Sequence, residues 1–173
     1  MPAVREQVLA AVQRWPGIHP RALERTLGLP SKLATYHLRE LELLGAVQHV
    51  SEPGHTRYFP RPTRPRFDQR TVAFTCLMRR PVALRIVVHL LSVGETTHKE
   101  MAAALRLAKA GTTYHLHLLR DAGVVLERAE GRRRHYRLVE PAWVTGLLAS
   151  FTPLPDDLDA FESVWLDLFG GDA

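Results

Sequence analysis

The sequence predicts a mainly α-helical fold of the α+β class with small β-hairpins, built as two tandem copies of one unit followed by C-terminal helices. Three observations carry this. First, Thr-Tyr-His-Leu occurs at Thr35-Tyr36-His37-Leu38 and again at Thr113-Tyr114-His115-Leu116, an offset of 113 − 35 = 78 residues. Second, the same offset, without a gap, aligns Leu27 with Leu105, Leu41 with Leu119, Gly45 with Gly123, Val47 with Val125 and Tyr58 with Tyr136. Third, each stretch shows helical apolar spacing three times and then a short strand–turn–strand pattern. A fixed repeat this long means two domains of one kind rather than a solenoid.

In the first copy, Val4, Val8, Leu9, Val12 and Trp15 share one face of a helix from Val4 to about Arg14, ended by Pro16-Gly17. Pro20 suits a first helical position, and Ala22, Leu23 and Leu27 define a short second helix running up to Gly28. Pro30-Ser31 opens a third helix through Leu44, closed by Gly45. Its inward stripe is Ala34, Leu38, Leu41 and Leu44 or Gly45. A hairpin follows: Val47–Val50, the turn Glu52-Pro53-Gly54, then Arg57-Tyr58-Phe59. The second copy repeats this order, with helices at about Val82–Ser92, His98–Leu105 and Ala108–Ala122. Its hairpin is Val124–Arg128, Glu130-Gly131 and His135–Leu138. Three helices and a two-stranded hairpin, with a tight turn before the third helix, is the winged helix-turn-helix layout. The expected domains are 1–60 and 81–139, with a linker and connecting helix at 61–80 and an acidic helical tail at 140–173.

The chain has 173 residues and a net charge of +5, but the charge is unevenly placed. Residues 1–140 carry 23 basic and 12 acidic side chains, a balance of 23 − 12 = +11, whereas residues 141–173 hold six acidic residues and no basic one. A basic body points to a polyanionic partner. No apolar run approaches the roughly 18 residues of a membrane span. The single Cys76 excludes an internal disulfide framework and suits a reducing compartment, so a cytoplasmic protein is expected. Paired carboxylates, a phosphate-cradling Gly-rich loop and a nucleophile–base set do not stand out, so catalysis is not expected. Neither is a cofactor or metal. His115 and His117 fall on different helix faces, and paired cysteines are missing.

Pro16-Gly17-Ile18, Leu23, Leu27-Gly28-Leu29, Thr35-Tyr36-His37-Leu38, Leu41, Gly45 and Val47 resemble the signature of winged-helix transcriptional regulators related to the ArsR and MarR groups. They are particularly similar to archaeal-style variants whose third helix reads Tyr-His-Leu. The second copy resembles the same pattern through Thr113–Leu116, Leu119, Ala122-Gly123-Val124-Val125 and Gly131–Tyr136. The resemblance implies that positions 35–36 and 113–114 touch double-stranded DNA. It departs from the pattern in two places. Ala110 and Gly111 weaken helix propensity at the start of the second copy's third helix, and the first hairpin offers Arg57 as its one basic contact residue. Unequal contributions from the copies are expected.

The face opposite the inward stripe carries Lys32, Leu33, Thr35, Tyr36 and Arg39 in the first copy, and Lys109, Thr112, Thr113, Tyr114 and His117 in the second. A helix in the major groove reaches base edges through such groups, and their hydroxyls equally bind phosphate. In the second hairpin Arg132, Arg133 and Arg134 suit a phosphate backbone or a minor groove, although a charge run also serves as a solvated surface. His37 and His115 read as half-buried packing or phosphate-contacting residues.

Pro60-Arg61-Pro62-Thr63-Arg64-Pro65-Arg66 predicts a stiff extended linker. A helix within Asp68–Met78 follows it. In the tail, helices are expected at Trp143–Phe151 and Asp156–Phe169, and the second has an apolar strip of Leu158, Phe161, Trp165 and Leu168. That strip packs either on the chain's own second domain or in a homodimer, which would present four reading heads instead of two. The expected function is a sequence-specific DNA-binding transcriptional regulator. Two alternatives stay open. One is a protein-interaction module like the tandem winged helices that partner kleisins in chromosome-organising complexes. The other is an architectural protein that coats DNA through its phosphates.

Overall fold

In the computed structural model, residues 3–52, 54–61 and 68–157 are described. The chain divides into two compact units, with the boundary between Thr75 and Cys76 inside the connecting helix α4 (Gln69–Met78). The architecture is α+β in both units, and the order of helices and hairpin in each is consistent with a winged helix-turn-helix.

The first unit runs α1 (Val4–Arg14), α2 (Pro20–Leu27), α3 (Ser31–Leu43), β1 (Val47–Glu52) and β2 (His55–Pro60). The three helices pack on one another, and β2 lies against α1 and α2. Val8, Ala11 and Val12 of α1, Ala22 and Leu23 of α2, and Ala34, Leu38 and Leu41 of α3 form one buried cluster with Ile18, Val47 and Tyr58. Leu154, far along the chain, belongs to the same cluster. The strands pair antiparallel from Val47↔Pro60 to Glu52↔His55, and Ile18 adds an isolated bridge to Tyr58. One expectation fails here. Leu44 does not extend the apolar stripe of α3: it is 64% exposed and Leu43 is 89% exposed. The helix closes at Leu43, Gly45 turns the chain at φ 71°, and Val47 takes over as the next core residue.

The second unit contains α5 (Pro81–Val93), β3 (Glu95–Thr97), α6 (His98–Ala104), α7 (Lys109–Asp121), β4 (Val125–Glu130), β5 (Arg133–Leu138) and α8 (Pro141–Ala149). Its sheet has the order β3–β5–β4, all antiparallel. Strand β3 was not expected. It is the counterpart of the Ile18 bridge, because the Thr96↔Tyr136 pair lies 78 residues beyond Ile18↔Tyr58. Three residues reading Glu-Thr-Thr give no apolar alternation to announce a strand. In α8, Val144 and Leu148 are buried, and Pro155–Asp157 form a single 3-10 turn. Linker residues 62–67 and the tail from Leu158 onward, including the apolar strip expected to pack either on the second domain or in a homodimer, lie outside the described residues.

The 78-residue register also holds for backbone angles. Gly28 closes α2 in the left-handed region at φ 63°, and its counterpart Arg106 holds φ 50°, the only non-glycine with positive φ among the described residues. The helix starts differ more. Thr97 caps α6, accepting from the Glu100 amide, while the Glu100 carboxylate accepts from the Thr97 amide at 3.0 Å. At the matching start of α2, His19 Nδ1 accepts from the Ala22 amide at 3.1 Å. Burial, then the nearby Arg57, lower the pKa of His19 from its ordinary 6.5.

Two outcomes follow. Nothing lies within 4 Å of a Cβ placed on Gly28, so Gly28→Ala carries only the left-handed backbone cost, about 1 kcal/mol in urea unfolding. An unchanged midpoint would contradict the assignment. Because protonation of His19 is resisted in the folded chain, its stabilising contribution is complete above pH 6.5 and declines as the pH falls below that value. His19→Asn keeps a side-chain cap and should reduce the loss of melting temperature between pH 7.5 and 5.5. An identical loss would contradict the role of this imidazole.

Candidate nucleic-acid interface

Burying one stripe of each third helix decides what the other side offers. On α3, Lys32, Tyr36 and Arg39 are exposed and Thr35 is half-buried. Tyr36 is 61% exposed, and its ring stands edge-on to His37 at 5.1 Å. On α7, Lys109, Tyr114 and His117 are exposed and Thr113 is half-buried. Tyr114 repeats the edge-on contact with His115, also at 5.1 Å. His37 in turn pairs with Glu40 at 3.1 Å. That hydrogen bond is the main reason the Glu40 pKa is lowered.

Two expected contact residues are placed elsewhere. Thr112 is fully buried and its hydroxyl donates to the Ala108 carbonyl of its own helix at 3.1 Å. It occupies the position of Ala34, which is also fully buried, so the repeat itself carried the signal. Arg57 is only 3% exposed. Its Nε donates to Glu52 at 3.0 Å and its Nη1 to the Gly17 carbonyl at 3.1 Å. It joins the hairpin to the turn after α1 and presents no charge to a ligand.

The other second-unit residues converge. A cleft of about 760 Å³ is lined by Lys109, Thr113 and His117 of α7 and by Arg132, Arg133 and Arg134 of the hairpin. Thr97, His98, Lys99 and Glu100 at the start of α6 close its remaining side, and Tyr136 contributes from β5. Tyr114 is not among the lining residues. Five cationic side chains thus face one carboxylate, and Glu100 is already engaged as a cap with its pKa lowered, first by the Thr97 amide hydrogen bond.

The cations differ in their freedom. Arg134 is paired with Glu127, which also takes Arg120 at 3.4 Å. Arg128 is held by Glu95 at 3.1 Å and Glu130 at 3.4 Å. Lys99, Lys109, Arg132 and Arg133 make no ion pair among the described residues. Such exposed pairs stabilise little, but they neutralise Arg128 and Arg134 locally. Thr113 donates its hydroxyl proton to the Lys109 carbonyl at 3.0 Å, so the His98 Nε2–H donates to Thr113 Oγ1 at 2.9 Å. His98 and Lys99 carry no such signal in the sequence, because their place in the cleft depends on α6 meeting the hairpin in space, although the helix before a recognition helix commonly crosses the backbone. Among the described residues no group of three or more His, Cys, Asp or Glu is placed to hold a metal ion, and no helix is long and apolar enough to cross a membrane.

Removing either buried residue should affect stability, not ligand binding. Arg57→Ala leaves Glu52 and the Gly17 carbonyl without this partner and should cost about 3 kcal/mol in chemical denaturation. Thr112→Ala should cost about 1 kcal/mol and leave duplex affinity unchanged. A stable Thr112→Ala variant with weakened duplex binding would contradict its placement in the core.

Comparison with known proteins agrees with the fold of the first unit. Residues 2–72 match a family profile described as an N-terminal HTH domain. The chain is also similar to the arsenical resistance operon repressor of Escherichia coli (strain K12), with 36% identity over 67 residues. That stretch is 38% of this chain and 57% of the repressor, so the chain spans little more than half the length of that relative.

Proposed function

We propose that this protein is a sequence-specific, double-stranded DNA-binding transcriptional regulator that uses two winged helix-turn-helix units and performs no catalysis. One observation carries the reading. The outward face of α7 and the Arg132–Arg134 hairpin meet across a single basic cleft, placed for a helix in the major groove and a wing on the flanking backbone. The N-terminal HTH match and the similarity to an operon repressor support it. The half-buried hydroxyl of Thr35 and the exposed polar groups of Lys32, Tyr36, Arg39, Lys109, Tyr114 and His117 supply hydrogen-bonding partners for phosphates and base edges. A homodimer through the C-terminal segment would double the number of reading helices. A reducing, cytoplasmic setting, which the single Cys76 suits, belongs to the same reading.

A second reading has one observation behind it. Leu43 and Leu44 are exposed side by side at the end of α3, which would suit a protein-interaction module. The basic cleft has no use in that role.

Fluorescence anisotropy with a labelled duplex separates these readings. If Lys99, Lys109, Arg132 and Arg133 each neutralise one phosphate, log K should fall with log salt at a slope of roughly −4. In-vitro selection should then return a preferred sequence. Absence of binding at low salt would favour the interaction module, and a steep slope without any preferred sequence would favour an architectural coat.

A further inference from the structure

We infer that the two units divide the work: the second holds the DNA backbone, and the first, through α3, chooses the sequence. The inference rests on the regulator reading above and assigns a specificity-determining role to Lys32, Leu33, Thr35 and Arg39.

The 78-residue register allows a position-by-position comparison. The five cations of the second-unit cleft are Lys99, Lys109, Arg132, Arg133 and Arg134. Their first-unit counterparts are Arg21, Ser31, Gly54, His55 and Thr56, so a permanent cation survives at one place in five. The first hairpin's one arginine, Arg57, is buried against Glu52 and the Gly17 carbonyl. The first unit therefore lacks a charged wing.

The reading helices differ in the opposite sense. Where α3 presents Lys32, Leu33 and Arg39, α7 has Ala110, Gly111 and His117. Long side chains on the first helix reach base edges. Arg and Lys form paired hydrogen bonds to guanine, and an apolar side chain contacts the thymine methyl. Alanine and glycine at the same places do neither. The two threonines differ as well. Thr113 has spent its proton on the Lys109 carbonyl and one lone pair on His98. The hydroxyl of Thr35, 78 residues earlier, makes no hydrogen bond among the described residues, so it is available both to donate and to accept. Base-reading groups thus concentrate on α3, and the cations gathered around a hairpin and a helix start concentrate on the second unit.

The test uses the full-length chain with a duplex obtained by in-vitro selection and a random duplex, each titrated across salt. Arg132→Ala with Arg133→Ala should weaken both duplexes by the same factor, lower the salt slope by about 2, and return the same selected sequence. Arg39→Ala with Thr35→Ala should shrink the preference for the selected over the random duplex about tenfold or more, with the slope changed by no more than about 1. His117→Ala, on the cleft side, should weaken both duplexes alike and so leave the preference unchanged. Arg39, His117, Arg132 and Arg133 are exposed and Thr35 is half-buried, and circular dichroism checks that each variant folds. A changed selected sequence in the hairpin variant would overturn the division, as would preference lost through His117→Ala but retained in the α3 variant. Failure of the wild-type chain to bind any duplex at low salt, or to select a sequence, would instead overturn the regulator reading and this inference with it.

Discussion

Burial of one stripe on each third helix is the constraint on which the rest depends. Ala34, Leu38 and Leu41 seat α3 against the first core, and Thr112, Leu116 and Leu119 seat the matching face of α7. Once those faces are committed, the residues between them have no choice but to point out. A recognition surface is then the complement of a packing surface, so a residue's role follows from which side of the stripe it occupies. Thr112 illustrates the rule: a hydroxyl suited to DNA is taken by the core because the position belongs to the stripe.

The hairpin completes the surface by a second constraint. Pairing of β5 with both β4 and β3 fixes the Arg132–Arg134 segment beside the α6 start and α7. Acidic residues in the same strands, Glu95, Glu127 and Glu130, take up Arg128 and Arg134. What remains is a small set of unpaired cations around one cleft, a more specific arrangement than the total charge of the body suggests. The duplication has been used asymmetrically. One copy has a cationic hairpin beside a third helix with Ala110 and Gly111, and the other has long side chains on its third helix beside a hairpin whose one arginine is buried; the proposed division of roles follows this difference.

Much of this was legible in the residues. The internal repeat, the helix order and both hairpins followed from Gly, Pro and apolar spacing, and α1, α2, α4 and α5 fall within a residue or two of their expected limits. Short or polar signals were not legible. Strand β3 has three residues without alternation, and Leu44 appeared to continue a stripe that the turn at Gly45 ends. At the site, the exposed residues of α3 and α7 were readable from periodicity, whereas Arg57 was not. Its burial depends on a carboxylate and a carbonyl brought to it by the fold, 5 and 40 residues away. The contribution of His98 and Lys99 depends likewise on α6 meeting the hairpin in space.

A regulator of this kind must receive the backbone of a duplex in the second-unit cleft. Amide shifts of the isotope-labelled chain, followed by NMR as duplex is added, test this most directly. Shifts should concentrate at residues 97–100, 109–117 and 131–135, with a second set on the outer face of α3. Shifts centred on Leu43 and Leu44, with the cleft amides unmoved at saturation, would contradict it.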